Sequence, residues 1–434
     1  MTNMQRAGTA GCVLARELIH GIPNINILVL EASGPNAHSN GLISLPCTWF
    51  QAFQLYDHDW GYVTQEQKMK SHVNPIKEAA VKNGVPYPRG KAKQYNDWAA
   101  QGPEYKIWDW DHCLEAFKAL ENNLRENPDE EFKQFHGFNS LHHVQDFEVY
   151  DILSGLVDVA KNLGIPYNDD FNVYEWRRKR CSLADCYLRD ALKKVEFHPG
   201  AEPNGFRKVV AVDIRSYTHV LEIIWDEENK KENIAIGVRY FCNGTVHEAF
   251  IAPKGEVIIC SGAINSPQIL MLSGVGPKEN LEANNIKVRK QLPVGRNLLD
   301  HPNCLFAAKS TPEKIHHWSS GSEVGIIHKA NVEGKIPCKK DFFDENPDIQ
   351  IIGIIISLLK LSREIIKQPP LSTVYNIKEI GINDEFGQWI TNGDDLSDED
   401  WEKLVFEKSN TMFHPSGTAK MAPESKGGVV NHRL

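Results

Sequence analysis

Apolar positions recur along the chain at two spacings. Short runs rich in β-branched residues, Ile25 to Leu30 and Glu256 to Cys260, suit buried strands. His219 to Trp225 alternates as a strand. Ile234 to Phe241 and Val246 to Ile251 read as two more, joined by the turn dipeptide Asn243-Gly244. Helical spacing governs the residues after Gly11, Trp108 to Asn123 with Leu114, Phe117 and Leu120 on one face, and Ile152 to Leu163. Ser397 with Asp400 forms a capping box for a helix running to about Glu407, and Ser182 with Asp185 reads the same way. His136-Gly137 and Val144-Gln145 suit a short hairpin region.

The most informative stretch is Glu256 to Pro277. Its strand ends at Ser261 and Gly262, where a glycine lets the backbone turn closely past a ligand. Ser266 reads as an N-cap with Pro267 at the first helical position, and Gly274 sits where a left-handed C-cap is expected. Such a unit aims backbone N–H groups at an anion or a polar ring edge. By geometry alone it is also a purely structural unit of many α/β proteins. A second one opens the chain. Gly8, Thr9, Ala10 and Gly11 precede a helix, and the following strand ends at Glu31, twenty residues past Gly11. At that interval an acidic residue meets the ribose hydroxyls of a dinucleotide.

Composition narrows the choices. A chain of 434 residues with 41% hydrophobic residues has room for two or three domains. A net charge of −9 argues against nucleic acid as the main partner, and the basic run Arg177 to Arg180 reads as a solvated loop. Nine cysteines contain no Cys-x-x-Cys pair, which points to free thiols in a reducing compartment. His142-His143 and His316-His317 lack further ligands at metal spacing, so no metal site is expected. The longest apolar run, Ile349 to Leu359, is too short for a membrane span, and no signal peptide is visible. A cytoplasmic protein is the expectation.

The wording of the motifs is more specific than their geometry. GAINSPQILMLSGVGP (Gly262 to Pro277), VGRNLLDHP (Val294 to Pro302) and FHPSGTAKM (Phe413 to Met421) resemble the glucose–methanol–choline (GMC) family of flavin oxidoreductases. The resemblance implies an α/β fold, with an FAD-binding doubly wound (Rossmann-like) domain and a second, α+β substrate domain. The FAD domain would comprise 1–67, 177–306 and 411–434, and the substrate domain 68–176 and 307–410. It implies FAD held by Gly8, Thr9, Ala10, Gly11, Glu31, Val220, Ser261 and Gly262, with Asp300 and His301 on the flavin side. It implies oxidation of the CH–OH group of a small-molecule alcohol, hydride passing to the flavin while His414 takes the hydroxyl proton. Histidine suits that task because it changes charge near neutral pH.

The chain departs from the family pattern at four places. Arg6 stands where the glycine fingerprint would begin, and only the mostly polar Met1 to Gln5 precede it, where a central strand belongs. Tyr87 to Lys91 resembles the lead-in to a flavin loop, yet the chain passes directly to the sequence that usually follows the loop. A long antiparallel section is expected between Pro347 and Lys360 and is missing, and the expected continuation with a second catalytic His or Asn is not found before Leu434. Two readings therefore stand. One is an FAD-dependent alcohol oxidoreductase. The other is a degenerate, non-catalytic relative or incomplete gene product that does not retain FAD, unless Met1 to Gln5 or another segment fills the central strand's place. A nicotinamide dehydrogenase is a third, since Glu31 suits NAD as well.

Overall fold

A computed structural model describes residues 2–5, 8–23, 25–34, 67–70, 78–81, 92–145, 151–163, 181–193, 211–228, 233–300, 302–304, 307–309, 359–360, 362–374, 376–383, 389–390, 396–408, 410–411 and 414–434. The chain opens with β1 (Thr2–Gln5), α1 (Thr9–Gly21) and β2 (Asn26–Leu30). There follow α2 (Trp110–Leu120), α3 (Asp151–Asn162), β3 (Ala211–Arg215), β4 (Thr218–Trp225) and β5 (Ala235–Cys242). Next come β6 (Thr245–Phe250), β7 (Val257–Ile259), α4 (Gly262–Leu272) and α5 (Asp398–Lys408).

Four of these strands form a parallel sheet in the order β7-β1-β2-β3. The expectation that the first strand is missing is corrected here. Thr2–Gln5 lies at the centre, with Gln5 in register with Leu30 on one side and Ile259 on the other. A central strand is held by backbone ladders to both neighbours, and polar side chains do not prevent them. Neither β2 nor β7 is left with an open edge at this position.

The sheet is covered on both faces, which explains the continuous apolar run of β2. Ile27 and Val29 pack with Ala15 and Ile19 of α1 and with Ala191. Leu28 and Leu30 pack on the other side with Val238 and Tyr240 of β5. That strand is the middle of an antiparallel sheet, β6-β5-β4. The β5–β6 turn is the expected one, with Asn243 and Gly244 at φ of 50° and 79°.

A second region is of mixed type. Ala307–Lys309, Lys378–Asn383 and Trp389–Ile390 form a three-stranded antiparallel sheet. Val159 of α3 packs with Ile365 and Leu371. The capping box of α5 is present, since Ser397 N and Oγ donate to Asp400 Oδ2 and Asp400 N donates to Ser397 Oγ. Two local expectations are corrected. Glu121–Asn123 and His142–Val144 pair in parallel, not as a hairpin. The helix expected after Ser182 opens with a π turn, Ala184–Leu188, whose N-cap Leu183 makes no side-chain bond. Arg177 to Arg180, His316-His317 and Tyr87 to Lys91 lie outside the described residues.

Candidate active site

The site is built around the start of α4. The helix begins at Gly262, four residues before the expected cap, and Pro267 lies inside it. Gly262 has φ of +77°, a conformation that disfavours any side chain, while a Cβ there would meet nothing within 4 Å. The turn therefore needs glycine and leaves open space in front of it. Ser266 works backward, its hydroxyl accepting from Ser261 N at 3.0 Å. Ser273 fixes the far end of α4, its Oγ accepting from Ile223 N of β4 at 2.8 Å.

Pro267 has no N–H, so it cannot serve the Ala263 carbonyl four residues back. The Thr418 hydroxyl serves it instead, at 2.5 Å. The motif Phe413 to Met421 contains Thr418 without giving it a role, and the proline inside the corrected helix was the available signal. Thr418 belongs to a segment that runs antiparallel to residues 294–303. Leu299 and Ser416 exchange backbone hydrogen bonds, and Gly295 N donates to Thr418 O at 2.8 Å. Pro302–Asn303 pairs with Asn410–Thr411. Gly417 has φ of +83°, and a Cβ there would lie 2.3 Å from the Asn297 carbonyl oxygen. Asp300 Oδ1 accepts from His414 N at 2.9 Å. The structure thus brings Gly262, Asp300 and the exposed His414 into one connected group. His301 lies outside the described residues.

On the other side of β1, Gly8, Thr9 and Ala10 are exposed at the start of α1, and Gly11 is buried. Gly8 caps the helix without a side-chain bond, and a Cβ there would meet nothing within 4 Å. Glu31 follows the last residue of β2. Its Oε1 accepts from Ser33 N at 2.8 Å and Ser33 Oγ at 2.6 Å, so Ser33 orients it, which the sequence did not disclose. Its backbone is fixed between Arg215 O and Thr218 N. Burial, followed by the Glu31 carboxylate, pushes the Cys12 thiol up to about 11. Val220 lies in β4 opposite Tyr240, and its side chain packs on the Leu28 and Leu30 core. Gly8, Glu31 and Gly262 thus all follow the carboxyl ends of adjacent strands, around the point where strand order reverses and open α/β sheets bind ligands.

Two family models, both described as GMC oxidoreductase, match residues 79–303 and 322–434. The chain belongs to the GMC oxidoreductase family. It is 26% identical to an oxygen-dependent choline dehydrogenase of Proteus mirabilis, over 98% of this chain and 86% of that protein. Mouse mitochondrial choline dehydrogenase is 32% identical over 68% of this chain, a match taking in only 49% of the mouse enzyme. Among solved structures, an Aspergillus oryzae formate oxidase has a TM-score of 0.71 at 17% identity, covering 100% of this chain and 90% of that one. The fold is accordingly that of a GMC oxidoreductase, a doubly wound α/β domain with a substrate domain. The protein is an oxidoreductase, and its cofactor is FAD.

The described residues fit that cofactor. Open space faces Gly8 and Gly262, a helix start without a side-chain cap suits a pyrophosphate, and the oriented Glu31 carboxylate suits a ribose. No cluster of potential metal ligands occurs among the described residues. None of their helices is long and apolar enough to cross a membrane.

Proposed function

We propose that this GMC oxidoreductase oxidises the CH–OH group of a small alcohol, with His414 as the base. The hydrogen bond between Asp300 and His414 N carries the reading, because it ties the His414 backbone to the segment beside the start of α4. Bound FAD supplies the hydride acceptor. The amides of Gly8, Thr9, Ala10 and Gly11 at the start of α1 hold its pyrophosphate, and Glu31 holds its ribose. The Val220 backbone would meet the adenine, while Ser261, Gly262 and Asp300 would line the flavin side. His414 takes the hydroxyl proton at a ring nitrogen while the alcohol carbon faces the cofactor.

This proposal divides the chain discontinuously. Residues 1–67, 177–306 and 411–434 form the FAD domain, and 68–176 with 307–410 the substrate domain. The shared sheet of β1, β2, β3 and β7 supports the assembly of the first from distant segments. With β1 paired on both sides, no missing central strand stands against FAD retention. Purified protein is expected to show flavin absorbance and to reduce a dye with choline or a simple primary alcohol. A colourless protein that added FAD does not convert to an active form would overturn the proposal.

A further inference from the structure

We infer that Thr418 is a positioning residue for His414, holding it at a fixed place relative to the start of α4. The inference rests on the proposed role of His414 as base. Thr418 lies four residues past His414, is 6% exposed, and donates its hydroxyl proton to Ala263 O at 2.5 Å. Ala263 directly follows Gly262, so this bond ends at the turn assigned to the flavin side. The acceptor has a vacancy because Pro267 has no N–H to give it. The other tethers described for this segment run elsewhere: His414 N to Asp300, Ser416 to Leu299, and Thr418 O to Gly295. The Thr418 hydroxyl joins the segment directly to α4.

The consequence follows from the geometry of proton transfer. A base works within hydrogen-bond reach of the proton it takes, and a misplacement of about 1 Å can cost about 10²-fold in rate. Without the tether, the His414 segment remains attached to residues 295–300 but loses its own bond to α4. The hydroxyl thus does two separable things. It satisfies the half-buried Ala263 carbonyl, and it sets where His414 stands.

A pair of substitutions separates them. In T418V the carbonyl loses its donor and the segment loses its tether. In P267A/T418V the backbone amide restored by P267A can serve Ala263 O, but the tether is still gone. With the full chain loaded with FAD and choline as the probe, T418V is expected to lower kcat about 10- to 100-fold, with KM little changed, and to lower the urea midpoint. T418S keeps the hydroxyl and is expected to retain kcat. The double variant is expected to recover the urea midpoint toward that of P267A alone while kcat stays low. Recovery of kcat together with the midpoint would reduce Thr418 to a structural role and overturn the inference, as would a T418S as slow as T418V. H414Q distinguishes the two levels: if it turns over normally, the assignment of the base fails, and this inference fails with it.

Discussion

The Asp300 side chain accepts the backbone N–H of His414 at 2.9 Å, across 114 positions of sequence. The bond fixes the backbone at His414 through its N–H. Hydrogen bonds to a charged group are worth about 1.5–3 kcal/mol. D300A should therefore lower the rate of alcohol oxidation, and D300N, which keeps an acceptor oxygen, should lower it less. Dye-reduction rates for the two variants give the order, and equal, undiminished rates would contradict it.

Glu31 tests the other end of the cofactor. In the proposed function Glu31 holds the ribose, so loss of its carboxylate would remove those hydrogen bonds, and each about 1.4 kcal/mol is a factor of ten in affinity. E31A should weaken FAD binding at least about tenfold. S33A should weaken it less, because Ser33 N still donates to Glu31 Oε1 when the hydroxyl is gone. Titration of FAD into the apo-protein, followed by quenching of flavin fluorescence, ranks the variants.

Two glycines with similar backbone angles should respond differently to alanine. At Gly262 the added methyl meets open space, so only the positive φ is penalised, at about 1–2 kcal/mol. At Gly417 the same penalty is joined by a contact of 2.3 Å to the Asn297 carbonyl, which is backbone and cannot swing aside. G417A should lose more thermal stability than G262A. The reverse order in melting temperature would count against the described packing of the His414 segment.

Asp109 gives the protein a pH-dependent anchor. It is 4% exposed and caps α2, accepting from Lys106 Nζ at 2.5 Å, His112 N at 3.0 Å and His112 Nδ1 at 2.5 Å. The Lys106 ammonium, then the two His112 donors, hold its carboxyl well below the usual carboxylate range. A carboxylate whose pKa is depressed by folding stabilises the fold in full above its unfolded value, about 3.9, and loses that contribution as pH falls toward the folded value. D109N should lower the melting temperature at pH 7 and flatten its decline below about pH 4. Parallel melting curves for both proteins across that range would refute the assignment.

Sequence alone determined what depends on near neighbours. The continuous apolar run of β2 announces a strand covered on both faces, and Asn243-Gly244 has the backbone freedom a tight hairpin needs. The Ser397–Asp400 box reaches only across one helical turn, so spacing suffices to reveal it. The motif wording around Gly262 and His414 carried the family. Tertiary structure decided what depends on distant partners. Thr2–Gln5 has no apolar pattern, and it is a strand because β2 and β7 offer ladders on both sides. α4 begins at Gly262 because a left-handed glycine turns the chain there, and Pro267 is accommodated inside the helix because Thr418, 155 positions from Ala263, serves the Ala263 carbonyl that Pro267 cannot. Hydrogen bonds over such separations leave no periodicity in the chain, since their spacing is set by the fold and not by the geometry of one element.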